Sequence, residues 1–299
     1  MKKISILYIL LSFSIFSSDL KVLLKEYSVL KDNFKEKEMR KELEFSEVEF
    51  LKLKKSIIEK ELEIYDKKFS LLKEKFQIEN NIQKYMNQKN QNQIKVQKLE
   101  KLIEYNEKNS LKISKIDLNN LKLELQNEKI KILDIDYKVY NENQKLNELE
   151  KFDSEDIEGI GKYKLLIKNN QILVDISEQI LKLEVIKKAS NETIKNLNIE
   201  WENSLKNLEE SQKISNQEIK KIESTIDNYE LTQKLYEDRF LLSNENIELY
   251  KIQLSKGIIS LDNYISKELD YLDIKIDKMD LDSKLALEKY NLLLWKGKN

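Results

Sequence analysis

Residues 246–295 read NIELYKIQLSKGIISLDNYISKELDYLDIKIDKMDLDSKLALEKYNLLLW, and two helical patterns meet inside this stretch. Upstream of the meeting point run Ile222, Ile226, Tyr229, Gln233, Tyr236, Phe240, Ser243, Ile247, Tyr250 and Leu254. The steps alternate four and three and eight of these ten positions are apolar, which is a heptad seam. Downstream, Leu269, Leu272, Ile276, Met279, Ser283, Ala286, Tyr290 and Leu293 form a second seam. Lys256-Gly257 breaks the pattern between them. Ser260 and Asp262 then stand where side-chain oxygens cap free backbone N–H groups and a negative charge suits the helix dipole. The stretch predicts a helical hairpin with its tip near 255–262. Its first helix, from about Ser204 to Leu254, would be roughly 75 Å long at 1.5 Å per residue. A helix of that length has no place in a globular core and must lie against other long helices. Ile265, Ile274, Leu281 and Leu285 sit off the second seam. The return helix therefore meets neighbours on two sides, as in a bundle or closed tube but not in a two-stranded coil.

The first half of the chain repeats the pattern. Leu118, Leu121, Leu125, Glu128, Ile132, Ile135, Val139, Glu142, Leu146 and Leu149 form a seam in which eight of ten positions are apolar. Tyr105 and Tyr250, Ser110 and Ser255, Ile113 and Ile258, and Asp117 and Asp262 all differ by 145, taking 105 from 250 as the example. Self-similarity at a fixed offset points to two tandem helical repeats, residues 19–155 and 156–299. The tip of the first lies near 106–117, where Ser114 and Asp117 stand near the start of the return helix, as Ser260 and Asp262 do in the second.

Composition agrees. The 299 residues include no Pro, no Cys, no His and four Gly, so little material exists for tight turns. Charged residues make up 36% of the chain, yet the net charge is -1, with Lys and Glu interspersed. A basic stripe for nucleic acid is absent from this pattern. Catalysis has little to work with: there is no His or Cys nucleophile, no Gly-rich phosphate loop and no metal-ligand spacing, and no cofactor is expected. Asp270, Asp273 and Asp277 recur along a helix flanked by Lys and read as a solvated face.

Lys2-Lys3, the apolar run Ile4–Phe16 and the small residues Ser17-Ser18 form a signal-peptide pattern over residues 1–18. The run is shorter than the ~20 residues of a membrane-spanning helix, and export with cleavage is the expectation. The clearest helix break is DSEDIEGIG at 153–161. Two short alternating runs, Phe45–Phe50 and Leu197–Trp201, read as strand stubs, shorter than the ~9–11 residues of a barrel strand. Trp201 would then mark a membrane-interface strand.

Residues 246–295 resemble the TolC family of outer-membrane efflux proteins. Gly257-Ile258-Ile259-Ser260-Leu261-Asp262 looks like that family's hairpin tip, and Lys112-Ile113-Ser114-Lys115-Ile116-Asp117 looks like a degraded copy of it. The resemblance implies an all-α dominated, two-repeat helical barrel with at most vestigial β-strands, closed as a homotrimer into a periplasmic tunnel. It implies passive conduction in efflux or type I secretion, with no enzyme activity. A periplasmic adaptor linked to an inner-membrane pump would engage Gly257, Ile258, Ile259, Ser260 and Leu261, and more weakly Ile113, Ser114 and Ile116. Asp117 and Asp262 would lie near the periplasmic aperture. Members of the family carry a strand pair before each long helix, so here either the strands have shrunk to the two stubs or the barrel is missing. With the strands the protein sits in the outer membrane; without them it is periplasmic. The rival reading is an exported periplasmic coiled-coil protein that spaces or tethers without conducting.

Overall fold

The computed structural model describes residues 20–35, 47–108, 114–149 and 160–297. The expected signal sequence, Ile113 and most of the 153–161 break lie outside the described residues. Six helices hold nearly all of the rest: α1 (20–35), α2 (Glu47–Lys108), α3 (Lys115–Leu149), α4 (Lys162–Ile186), α5 (Asn191–Ser255) and α6 (Leu261–Lys296). There is no strand among the described residues. No helix among them is long and apolar enough to cross a membrane. A long helix followed by a shorter return helix occurs twice, with lengths of 62 and 35 residues and then 65 and 36.

The helices pack as two compact units, and each unit draws on both halves of the chain. One comprises Met1–Glu74, Lys151–Glu223 and Tyr290–Asn299; the other comprises Lys75–Glu150 and Ser224–Lys289. In the first, α1 lies antiparallel on α2, with Lys60 reaching Glu26 at 2.8 Å and the rings of Phe34 and Phe50 4.6 Å apart. Val48 and Leu51 of α2 bury against Ile176 and Ile180 of α4 and Leu197 of α5. Further along, Phe69, Leu72, Leu165 and Leu294 form a second buried cluster. The α4–α5 seam is partly polar, with Asn170 donating to Ser211 and Ser177 paired with Ser204, both at 3.3 Å.

In the second unit, cross-helix pairs fix order and direction. Lys89–Asp136, Glu100–Lys129 and Glu107–Lys122 join α2 to α3 at 2.6, 2.8 and 2.7 Å. Lys84–Asp280, Lys95–Asp273, Lys98–Glu268 and Asn106–Asp262 join α2 to α6. Lys289–Glu230, Gln233–Asp282 and the stacked rings of Phe240 and Tyr271 join α6 to α5. In each set one number rises as the other falls, so every neighbour is antiparallel and the order is α3–α2–α6–α5. The solvent-exposed pairs among these, such as Glu100–Lys129 and Glu107–Lys122, contribute at most ~1 kcal/mol each. The seams carry more, since burying one large aliphatic side chain stabilises by ~1.5–3 kcal/mol. Every predicted seam position on α3, α5 and α6 is buried or half-buried. Ile265, Leu281 and Leu285, predicted off-seam, are fully buried because α6 lies between α2 and α5.

Three expectations need correction. Leu197–Trp201 is not a strand: it lies inside α5, with Leu197 packed on Val48 and Leu51. Of the other stub, 47–50 opens α2 and residues 45 and 46 lie outside the described residues. An apolar/polar alternation also places i and i+4 on one helix face, and the α2 contact selects the helix. The long helix of the second half starts at Asn191, not near Ser204. Lys187–Ser190, a break with no Gly or Pro to mark it in the sequence, separates it from α4.

That break is a tight turn. Lys188 N–H donates to Val185 at 3.1 Å and Ala189 N–H donates to Glu184 at 3.0 Å, the paired bonds of a Schellman ending. Lys188 occupies the left-handed position, with φ 58, which glycine adopts at lower cost. Lys188→Gly should raise stability by about 0.5–1 kcal/mol in urea unfolding. No gain, or a loss, would count against this turn geometry.

Candidate functional site

The α5–α6 tip is built by the same local rules. Gly257 N–H donates to Leu254 and Ile258 N–H to Gln253, at 3.0 and 2.9 Å, closing a Schellman motif on Gly257 at φ 69. A Cβ on Gly257 would meet nothing within 4 Å, so the tip projects into open space. Ile258 is 66% exposed, Ser260 is exposed, and Ile259 and Leu261 are half-buried. Ser260 Oγ accepts from Asn263 N–H at 3.3 Å and caps α6. At the start of α3, Ser114 Oγ accepts from Asp117 N–H at 3.1 Å and donates to the Asp117 carboxylate at 2.6 Å. Ile116 is exposed beside it. The predicted caps therefore form at both helix starts.

Asp117 and Asp262 come together on one cleft of about 510 Å³, with Leu99, Leu121, Glu124 and Ile265 among its lining. Asp262 is held there by the Asn106 amide at 3.0 Å. A second cleft of about 520 Å³ runs on along α2, α3 and α6, past Lys95, Glu124, Glu128 and Asp273. Glu128 and Glu142 are the two acidic residues in the α3 seam. Each accepts from the lysine one turn on, Lys131 and Lys145. Burial and the hydrogen bond to Glu268 push the Tyr264 phenol up to about 12. Burial opposes ionisation of Asp280, but the Lys284 and Lys84 ammoniums outweigh it and hold the carboxyl below its usual range. Asp270 pairs with Lys267 and Asp273 with Lys95. Among the described residues no acidic group is arranged to hold a metal ion.

The outer faces of the second unit carry a pattern that the heptad seams mask in the sequence. On α3, Ile116, Leu123, Ile130, Leu133, Tyr137 and Tyr140 are exposed, at steps of seven, seven, three, four and three. On α5, Leu231, Leu235, Leu242 and Leu249 are exposed, at steps of four, seven and seven. These are second heptad stripes on the two edge helices, pointing away from the buried seams. At 1.5 Å per residue the α3 stripe is about 36 Å long and the α5 stripe about 27 Å, and through the α6 pairing the two overlap along the unit. Ordinary monomer surfaces scatter their exposed apolar side chains singly; contiguous stripes mark interaction faces.

Two successive pairs of long antiparallel helices, with serine caps at the starts of both return helices, define a helical-tunnel fold. It is the fold of the TolC-family outer-membrane channels. Similar solved structures include CusC, a protein described by its conformational changes on folding and transmembrane channel formation. Its TM-score is 0.67 at 10% identity, over 94% of this chain and 91% of that one. The outer membrane protein VceC of Vibrio cholerae matches with TM-score 0.63 at 8% identity, over 83% and 74% of the two chains. The Campylobacter jejuni CmeC outer membrane channel matches with TM-score 0.52 at 11% identity, over 84% and 68%. No family model matches the chain, and no curated protein matches it in sequence. At these identities the likeness is one of fold.

Proposed function

We propose that this protein is an exported subunit of a passive conduit, whose copies close a ring of helices in the periplasm against the outer membrane. Residues 19–155 and 156–299 are its two repeats, a division supported by the recurrence of helix lengths. The observation that carries the reading is the pair of open apolar stripes on α3 and α5. They lie at opposite edges of one antiparallel layer and overlap along it. Pairing α3 of one copy with α5 of the next continues that layer with no change of direction. Such head-to-tail pairing closes a ring when the rotation allows, and three copies is the number that the resemblance to the TolC family implies.

The exposed tip, Gly257 to Leu261 with Ser114 and Ile116, is the surface offered to a periplasmic adaptor, which joins the conduit to an inner-membrane pump that supplies the energy. Asp117 and Asp262 stand behind it at the aperture. Gly257→Trp tests this assignment. The bulky ring enters open space, so the helices stay folded by circular dichroism, while export in cells falls by roughly tenfold or more, the scale of losing one interface anchor. Unchanged export would remove the tip from the proposal.

One observation favours the second reading, a periplasmic structural or tethering protein without conduction. The turn before α5 spans four residues, Lys187–Ser190, where barrel strands need ~9–11 residues each. Ion conductance of the purified assembly in a planar bilayer separates the two: steady channels support the conduit, and their absence supports the tether.

A further inference from the structure

We infer that the α4–α5 turn is a membrane-surface contact, which seats this end of the first unit on an anionic bilayer without crossing it. The inference holds for a single chain and does not depend on ring closure or on the adaptor tip. At 75% exposure, Ile186 is the most exposed large apolar side chain among the described residues, and Val185 beside it is also exposed. The cap does not require them. The bonds of the Schellman ending, Ala189 to Glu184 and Lys188 to Val185, are backbone bonds that use neither side chain, and the last apolar side chains of α4 packed on the core are Leu181 and Leu183. Two aliphatic side chains therefore project from the convex end of a helical hairpin with no packing role there.

Charge selects the occupant. Lys182, Lys187, Lys188 and Lys195 are all exposed around the pair. Against these four lysines, residues 182–195 hold two glutamates, Glu184 and Glu192. Lys182 is partly committed to Glu178, at 2.6 Å. A protein partner needs ~800 Å² of surface on each side and a central anchor pocket, which a convex two-residue tip does not offer. A bilayer interface accepts this shape. The aliphatic tips enter the boundary between headgroups and acyl chains, and long lysine stems let the ammonium groups reach anionic headgroups. The four-residue connection also sets the depth. Extended, it spans roughly 14 Å at ~3.4 Å per residue, too little to enter and return across a ~30 Å hydrocarbon core. The contact is therefore on the membrane and not through it.

The test uses the full chain with vesicles of phosphatidylcholine containing about one-third phosphatidylglycerol, and with vesicles of phosphatidylcholine alone. The protein should sediment with the anionic vesicles, less so as salt rises, and at least about tenfold more weakly with the neutral ones. Ile186→Asp should weaken binding about tenfold, and Lys187→Glu with Lys195→Glu should weaken it and flatten the salt dependence. All three positions are exposed, so the melting curve should stay in place. The chain has no cysteine, so Ile186→Cys carries a single environment-sensitive fluorophore. Its emission should shift to the blue on anionic vesicles, while the same label at Ile258→Cys, on the other tip, should not. Failure of the wild type to sediment with anionic vesicles would overturn the inference. So would unchanged binding by Ile186→Asp, or equal shifts at both tips. None of these results bears on self-association through α3 and α5, which is read in solution without lipid.

Discussion

Leu133→Asp and Leu242→Asp, purified separately, will each remain monomeric, and mixed in equal amounts they will form a dimer and nothing larger. The wild type will form a closed oligomer under the same conditions. Leu133 lies in the exposed stripe of α3 and Leu242 in that of α5. Either aspartate leaves its own fold intact, because neither position touches a buried seam. Buried in a copy-to-copy contact, however, the charge would lose its hydration without a partner, at a cost of several kcal/mol. Each variant thus keeps one good edge and one spoiled edge. Against itself, a good edge finds only a spoiled one. In the mixture, the intact α5 of the first variant meets the intact α3 of the second, once, and both free edges are then spoiled. Sedimentation equilibrium or light scattering reads the masses directly. A wild type that stays monomeric removes ring closure altogether. Dimers formed by either variant alone would mean a self-complementary contact, which cannot continue the layer into a ring.

The inner and outer stripes show what the sequence could and could not disclose. The seam from Ile222 to Leu254 was legible because its apolar residues recur at heptad spacing, and packing against α6 uses that same face. The helix starts at Lys115 and Leu261 were legible through Ser114 and Ser260, whose hydroxyls have a defined job at a helix N-terminus. Leu231, Leu235, Leu242 and Leu249 carry the same kind of spacing on another face of α5. Periodicity alone does not say which of two stripes is covered within the chain. Only the position of α5 at the edge of the layer separates them. The Lys187–Ser190 turn was hidden for a different reason. Its left-handed residue is a lysine, where a glycine would have announced the break, and Ser190, which caps Thr193 N–H at 3.2 Å, was the remaining signal. Leu197 and Trp201 were misread because a five-residue alternation fits either period, and it is the α2 neighbours of Leu197 that decide.

Gly297→Ala will destabilise the first unit by roughly 3–5 kcal/mol, whereas Gly257→Ala will cost about 1 kcal/mol. All three glycines with positive φ among the described residues end or begin helices, at Gly161, Gly257 and Gly297. They differ in what surrounds them. A Cβ on Gly257 meets open space, so alanine there costs only the strain of φ 69. On Gly297, at φ 82, a Cβ would lie 2.6 Å from the Ile160 carbonyl oxygen and 2.9 Å from the Gly161 nitrogen, both of them backbone atoms. Gly161 returns the contact, with a Cβ position 2.4 Å from Gly297 N. The end of α6 and the start of α4 thus meet backbone to backbone, each glycine making room for the other. Side chains reinforce the join: Leu165 and Leu294 bury together, and the Lys162 ammonium lies 5.1 Å from the Trp295 ring centroid. Neither main chain can yield without breaking a helix-end hydrogen bond, Leu165 N–H to Gly161 or Gly297 N–H to Leu293. Urea unfolding gives the difference between the two variants, and faster hydrogen exchange over 160–170 and 290–297 would locate it. Equal losses for Gly257→Ala and Gly297→Ala would mean that φ strain alone accounts for both, and that the two helix ends do not depend on their close approach.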